Sequence, residues 1–236
     1  MRILLISDVH ANPWALMAVA RDAGNVDHIL CAGDCVNYGT RPVEVIAWLR
    51  EQGAITVRGN HDDAVAFNHH PRASPAKAHL ALALRDWTQA KVEPAHVQWL
   101  ARLPLTLTWE ISGARFVMVH ATPPDPLYDY RLTPNAPHDI LTETLTGFEA
   151  DFVVLGHTHL AYVRKYNRML VVNPGSAGQP LDGDPRAAYA IWEDGEITLH
   201  RTDYDQRELI KSLDELGLEE DIYGSLRRSF QLGKMS

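Results

Sequence analysis

The 236-residue chain has little cysteine, no long apolar run and no cluster of positive charge. Its two cysteines, Cys31 and Cys35, are too few for a disulfide framework, which is typical of a reducing compartment. No apolar stretch approaches the length that spans a bilayer, and the apolar start of the chain is too short for a signal peptide. We therefore expect a cytoplasmic protein that does not associate with membranes.

The charge balance limits the partners that the chain can bind. Its formal net charge is −8, with 22 Lys and Arg residues against 30 Asp and Glu residues. General nucleic-acid binding is not expected, because there is no basic block from which to release counterions. A small phosphorylated substrate remains compatible, since bound cations can dominate the local field. The hydrophobic fraction of 46% is ample for the core of a single domain over residues 1–236.

The first part of the chain alternates between short apolar runs and helical periodicity. The runs Ile3–Ile6, His28–Ala32 and Ile55–Val57 predict buried strands. Helices are predicted to begin at Pro13 and at Pro42, each with proline at the first helical position. This β-α-β-α-β order indicates parallel strands joined by right-handed crossovers.

The rest of the chain changes character twice. Amphipathic spacing predicts a helical insertion over residues 63–103, with an irregular segment at 67–72, in a position to cap a site. Further strands are predicted at 105–109, 115–119 and 152–155, a helix at 138–145, hairpins at 161–172 and 188–201, and a C-terminal helix after Asp205. We expect two packed sheets, one of parallel character and one built from hairpins, with helices outside.

Five polar clusters each follow directly after a predicted buried strand. They are Asp8-Val9-His10, Gly33-Asp34, Gly59-Asn60-His61-Asp62, Val119-His120 and Gly156-His157-Thr158-His159. Because ligand sites assemble at the carboxyl ends of strands, we expect all five to converge at one sheet edge. Asp, Asn and His without Cys suit Mn, Fe, Zn or Co rather than a thiolate site. The ligands are too many for one ion and suit two ions that share a bridge, with the glycines allowing sharp turns.

These ordered motifs resemble the calcineurin-like metallophosphoesterase superfamily over residues 1 to about 180. The resemblance implies a four-layer αββα sandwich of two mixed sheets that holds two divalent transition-metal ions. Manganese is favoured, with Fe, Zn, Co and Ni as alternatives. The implied ligands are Asp8, His10 and His159 for the first ion, Asn60, His120 and His157 for the second, and Asp34 as the bridge. His61 would be the general acid, and Asp62 would orient its ring.

One stretch departs from the relatives that it otherwise resembles. Residues 33–46 are similar to Ser/Thr phosphatases and diadenosine tetraphosphatases, but Asn37-Tyr38 replaces the Asp-Arg pair usual there. Arg58 or Arg41 could supply the missing cation. Tyr38 could stack on a nucleoside base or fill the volume of the arginine. We take Asn37, Tyr38 and Arg58 as candidate substrate contacts.

The resemblance implies hydrolysis of a phosphate ester or anhydride by a hydroxide held between the two ions. A small nucleotide or a phosphodiester is the favoured substrate, and a protein Ser/Thr phosphatase is the alternative. A non-catalytic scaffold is disfavoured, because such proteins lose ligands or the catalytic histidine and this chain retains them. An oligomer is compatible with apolar side chains exposed on the insertion.

Overall fold

The computed structural model describes residues 1–73 and 78–234. In chain order its elements are β1 (Arg2–Ile6), α1 (Pro13–Ala23), β2 (His28–Cys31), α2 (Pro42–Glu51), β3 (Ile55–Thr56), α3 (Asn60–Phe67), α4 (Ala78–Lys91), α5 (Pro94–Arg102), β4 (Thr106–Ile111), β5 (Ala114–Val119), α6 (His138–Leu145), β6 (Phe152–Val154), β7 (Tyr162–Tyr166), β8 (Met169–Asn173), β9 (Ala187–Glu193), β10 (Glu196–Thr202), α7 (Gln206–Ser212), a 3₁₀ turn (Leu213–Leu216) and α8 (Glu220–Leu232). Residues 74–77, inside the predicted insertion, lie outside the described residues.

The first sheet has the strand order β10-β9-β1-β2-β3. Strands β1, β2 and β3 are parallel, and Ile3 pairs with His28. Strand β9 runs antiparallel to β1 and continues into β10 through the Asp194-Gly195 turn predicted from the sequence.

The second sheet has the order β4-β5-β6-β8-β7. Its centre is parallel, with β5, β6 and β8 side by side, while β4 and β7 are antiparallel edges. The two predicted hairpins are therefore divided between the sheets. The expectation of one parallel sheet and one hairpin sheet is wrong, because each hairpin adds to a parallel centre. The four-layer sandwich of two mixed sheets is confirmed.

Alternation along the strands explains the layers. Ile3 and Leu5 of β1 pack between the two sheets, against Met118 of β5 and Val154 of β6. The intervening residues of β1 face the other way, and Leu4 packs with residues of α1 and α2. Both faces of β1 are thus buried, which accounts for its uninterrupted apolar sequence. On the far face of the second sheet, α6 supplies a separate apolar cluster.

Helix α3 begins inside the polar cluster at residue 60, three residues before the predicted start of the insertion at residue 63. Gly59 is its N-cap, and the carboxylate of Asp62 accepts a hydrogen bond from the Gly59 N–H at 3.0 Å. The helix ends at Asn68, whose left-handed conformation (φ 57°) stops it. The signal was present as an acidic residue three positions after a capping residue.

The insertion and the C-terminal helices pack together on one side of the sandwich. One apolar cluster joins Leu80 and Leu84 of α4 to Leu213 and Phe230 of the C-terminal region, with Tyr38 among them. None of the described helices is long and apolar enough to cross a membrane.

Candidate metal centre

The five polar clusters lie at the carboxyl ends of strands from both sheets. Asp8 follows β1, Asp34 follows β2 and Asn60 follows β3, all in the first sheet. His120 and His157 follow β5 and β6 of the second sheet. The expectation of a single sheet edge is therefore corrected, because the site is built where the edges of two packed sheets meet.

The ligand candidates themselves adopt the left-handed backbone conformation. Positive φ angles occur at Asp8 (52°), His10 (47°), Asp34 (55°), His157 (66°) and His159 (60°). Such angles are uncommon outside glycine and cost energy, so surrounding contacts must hold them. Here the contacts are ladder-like backbone bonds, including Asp8 N–H to Gly33 O at 2.9 Å and His10 N–H to Asp34 O at 3.0 Å.

Two of the three flanking glycines serve close approach rather than a turn. A Cβ on Gly156 would fall on Ser7 Oγ and lie 2.7 Å from Asp8 Oδ2. A Cβ on Gly59 would fall on the backbone and carboxylate of Asp34. Neither glycine has a positive φ, unlike Gly33, whose φ is 92°. Of the three glycines predicted to allow sharp turns, only Gly33 adopts the positive φ that such a turn requires.

One group of buried acceptor atoms contains Asp8, His10 and His159. The Nε2 atoms of His10 and His159 are 3.2 Å apart, and His159 Nε2 lies 3.3 Å from Asp8 Oδ1. Asp34 Oδ2 is 3.8 Å from His10 Nε2. These are the residues predicted for the first ion together with the predicted bridge.

A second group contains Asn60, His120 and His157. Asn60 Oδ1 is 3.1 Å from His120 Nε2 and 3.1 Å from His157 Nδ1, and the two nitrogens are 3.2 Å apart. Asp34 Oδ2 lies 3.3 Å from His120 Nε2, so its carboxylate reaches both groups. The Asn60 amide nitrogen donates to the Pro71 carbonyl at 2.7 Å, which turns Oδ1 towards the histidines.

Backbone carbonyls fix which nitrogen of three imidazoles faces the centre. Nδ1 of His10 bonds Val36 O at 3.1 Å, Nδ1 of His120 bonds Ala32 O at 2.7 Å, and Nδ1 of His159 bonds Gln179 O at 2.5 Å. Each ring therefore carries its proton on Nδ1 and turns the lone pair of Nε2 inwards, the usual arrangement of metal-binding histidines.

The donor set fits divalent metal ions. Imidazole nitrogens, the amide oxygen and carboxylate oxygens approach one another at 3.1–3.3 Å, so a proton or a metal cation must lie between them to offset the repulsion of their lone pairs. Two ligands at about 2.1 Å from one ion lie about 3.0–3.4 Å apart in octahedral or tetrahedral geometry. The spacings of 3.1–3.3 Å match that range, whereas His10 Nε2 lies farther from the carboxylates, 3.9 Å from Asp8 Oδ1 and 3.8 Å from Asp34 Oδ2.

The charges of the metal-free site are tuned by burial and by one another. Burial raises the pKa of Asp8 to about 7, with Asp34 adding to the shift and His120 opposing it. Burial lowers the pKa of His10 to about 3. Burial also disfavours charge on His120 and Asp34. Their mutual attraction outweighs it, raising the pKa of His120 to about 10 and holding the pKa of Asp34 well below its usual range.

The ring of His61 is held by Asn37, not by Asp62 as predicted. The Asn37 amide nitrogen lies 2.6 Å from His61 Nδ1 and 3.2 Å from the carbonyl oxygen of Ala81. Asp62 is turned to the backbone, accepting from Cys35 N–H at 2.9 Å, Val36 N–H at 3.3 Å and Gly59 N–H at 3.0 Å. It joins the loop after β2 to the start of α3, because buried backbone donors need acceptors.

Of the three predicted substrate contacts, only Tyr38 reaches the cavity at the centre. Asn37 is buried beneath His61. Arg58 packs between helices, with Nε 3.2 Å from Asp63 and one guanidinium nitrogen 2.8 Å from Ala101 O. Its guanidinium also lies over the ring of Phe67, which explains why it faces away from the cavity.

The cavity has a volume of about 50 Å³, room for a few water molecules or one phosphate-sized group. It is lined by Asp34, Tyr38, Asn60, His61, Ala73, Tyr130, His157, Thr158, His159 and Leu181. Sequence reasoning missed Tyr130, which lies in an irregular loop, and Gln179, whose carbonyl orients His159. Neither belongs to a local sequence pattern that marks chemistry.

Comparison with known proteins agrees with this geometry. A sequence profile described as the calcineurin-like phosphoesterase superfamily domain matches residues 1–195. An uncharacterised protein of Methanocaldococcus jannaschii is 30% identical over 223 residues, which cover 86% of this chain and 88% of that protein.

Two solved structures match over nearly their whole length. A metallophosphoesterase from Sphaerobacter thermophilus is 34% identical, with a TM-score of 0.80 and 99% of both chains covered. A hypothetical protein from Pyrococcus horikoshii has a TM-score of 0.83 at 19% identity, covering 100% of this chain and 99% of its own, and shows the fold alone. The C-terminal helices lie beyond the sequence profile but within these full-length matches.

Proposed function

The chain belongs to the calcineurin-like phosphoesterase superfamily, and on that basis we propose that it is a two-metal hydrolase of phosphate esters or anhydrides. The observation that supports this most strongly is the pair of acceptor groups that share Asp34 beside His61. Their ligand-to-ligand spacings of 3.1–3.3 Å suit two bound ions.

The proposed ligands divide between two subsites. Subsite one consists of Asp8, His10 and His159, subsite two of Asn60, His120 and His157, and Asp34 serves both. When bound, two divalent ions supply Lewis acidity and an activated water nucleophile at neutral pH. We favour manganese, because carboxylate, amide and imidazole ligands without thiolate suit the harder first-row metals.

His61 is the proposed general acid. It lines the cavity beside both subsites, and its ring centroid lies 5.3 Å from that of His10. Because the Asn37 amide donates to Nδ1, the neutral ring carries its proton on Nε2. We assign to Nε2–H the hydrogen bond to the phosphoryl group. Transfer of this proton to the leaving oxygen requires the imidazolium form, in which Nδ1 is protonated as well, so that the ring returns to neutral imidazole.

The small cavity supports a substrate that presents one phosphate to the centre and keeps the rest outside. With about 50 Å³ available, the site suits a phosphodiester or the phosphate chain of a small nucleotide. A nucleotide base or a peptide would therefore remain outside this cavity.

Purified protein loaded in turn with Mn, Ni, Co and Mg provides the test. We expect hydrolysis of bis-aryl phosphate, mono-aryl phosphate or diadenosine tetraphosphate, and loss of that activity in Asp34→Ala, Asn60→Ala and His61→Ala. His61→Ala should retain its metal, whereas Asp34→Ala should not. His138→Ala, a histidine on the exposed side of α6, is the matched control. Full activity in His61→Ala would remove the proposed acid.

A further inference from the structure

Tyr38 is fixed over subsite one. Its ring centroid lies 4.9 Å from that of His10, in a T-shaped arrangement, and 4.8 Å from that of His61. The side chain is only 3% exposed, and its backbone is left-handed with a φ of 62°. Leu84 of α4 and Phe230 of α8 belong to the apolar cluster behind the ring. Packing from two distant parts of the chain therefore sets where the phenol points.

Tyr130 stands over subsite two. Its ring centroid is 3.8 Å from that of His157, with an angle of 31° between the planes. The side chain is 42% exposed, so it lies between the centre and solvent. Tyr38 and Tyr130 thus line the same cavity, each beside a different subsite.

Both phenols are poised as hydrogen-bond donors. The ordinary pKa of a phenol, about 10, lies well above neutral pH. Each hydroxyl therefore keeps its proton throughout the neutral range and can donate it to an anion. The lining of this cavity, within residues 1–73 and 78–234, includes neither arginine nor lysine.

We propose that Tyr38 and Tyr130 form a pair of neutral donors that bind the non-bridging oxygens of the substrate phosphate, one phenol at each subsite. The assignment rests on the proposed function of the same centre. Neutral donors orient the phosphate without adding charge, so charge neutralisation is left to the bound ions. Tyr38 stands where the similar phosphatase sequences usually have the arginine of an Asp-Arg pair, so the two phenols would bind the phosphate in place of that cation.

The alternative is that the two rings stack on the substrate, and removing the hydroxyls distinguishes this role from hydrogen-bond donation. If the rings pack on an aryl or base group, phenylalanine preserves the function. If the hydroxyls donate, phenylalanine loses it. A hydrogen bond to a charged group contributes enough that its loss should weaken binding by about tenfold or more.

The test uses Mn-loaded wild-type protein, Tyr38→Phe, Tyr130→Phe and the double variant, titrated with inorganic phosphate by calorimetry. Tyr223→Phe, on the half-buried side of α8, is the matched control. We expect each single variant to weaken phosphate binding about tenfold, the double variant more, and the control not at all. Metal content should stay at the wild-type level. With bis-aryl phosphate, the variants should raise KM more than they lower kcat.

Unchanged phosphate affinity in both phenylalanine variants would overturn the proposal, as would a wild-type protein that binds no phosphate. An effect of Tyr130→Ala without one of Tyr130→Phe would assign the ring to stacking. Because calorimetry needs no turnover, tyrosine-dependent phosphate binding without ester hydrolysis would support the donor pair and contradict the hydrolase.

Discussion

At the scale of single residues, His61 and Asp62 are sequence neighbours with separate tasks. His61 faces the cavity, whereas Asp62 accepts three backbone N–H bonds that join the loop after β2 to α3. We predict that Asp62→Ala lowers the free energy of unfolding by about 3 kcal/mol or more, since it strands buried donors. His61→Ala should unfold like the wild type. Denaturant titration of both proteins distinguishes this account from a catalytic dyad, in which both variants would keep their stability.

Protonation of Asp8 should control metal binding. In the metal-free protein its carboxyl has a pKa of about 7, raised by burial and Asp34 against the opposing effect of His120. A proton and a metal ion compete for this oxygen, so apparent affinity should rise as pH rises towards 7. The pKa of about 10 at His120 extends the rise above 7. Calorimetric titration with Mn²⁺ from about pH 5.5 to about pH 8 measures this rise in affinity. An affinity that falls as pH rises would contradict the prediction.

At the scale of elements, the end of β6 needs glycine at position 156 for space. An added Cβ would strike Ser7 Oγ and crowd Asp8, so Gly156→Ala should abolish metal binding. The control is Gly224→Ala inside α8, where the nearest atom to the new Cβ is the flexible Arg228 side chain at 3.3 Å. That change should be neutral or stabilise by about 1 kcal/mol, through helix propensity. Metal content and thermal unfolding of both variants decide the matter.

Arg58 should prove to be a connector of helices α3 and α5 rather than a substrate contact. Its guanidinium spans Asp63 and the carbonyl of Ala101, and its side chain is 13% exposed. Arg58→Ala should cost about 2 kcal/mol or more of stability while KM stays unchanged, because Asp63 remains buried without its cation. Arg41→Ala, which removes an exposed pair with Glu215, should cost less than about 1 kcal/mol. A raised KM in Arg58→Ala with normal stability would contradict the assignment.

At the scale of the whole molecule, the C-terminal helices support the site through Tyr38. Phe230 of α8 is fully buried in the cluster that contains Tyr38. Phe230→Ala should cost about 3–5 kcal/mol through loss of burial and the cavity left behind. It should also raise KM, since the tyrosine loses its backing. Thermal unfolding and steady-state kinetics at a temperature where the variant is folded give the two readouts. A KM equal to wild type would separate the C-terminal helices from the site.

The sequence was most informative where chemistry is local. Short buried strands followed by Asp, Asn or His identified the ligand candidates, because strand ends and polar residues both leave marks in the nearby sequence. The sequence did not show that Asn37, rather than Asp62, contacts the ring of His61, because this contact depends on how the loop after β2 packs against α3. Tyr130 and the Gln179 carbonyl lie in loops whose placement only tertiary packing sets. The division of the hairpins between two sheets has the same cause.

The central claim, a two-metal phosphoesterase built on Asp34, is tested most directly by titrating metal-free protein with Mn²⁺ while following bis-aryl phosphate hydrolysis. Subsites one and two share a carboxylate, so both must be filled for catalysis. We predict that hydrolysis stays low through the first equivalent of metal and appears as the second binds. Full activity at one equivalent, or none with two equivalents bound, would contradict the account.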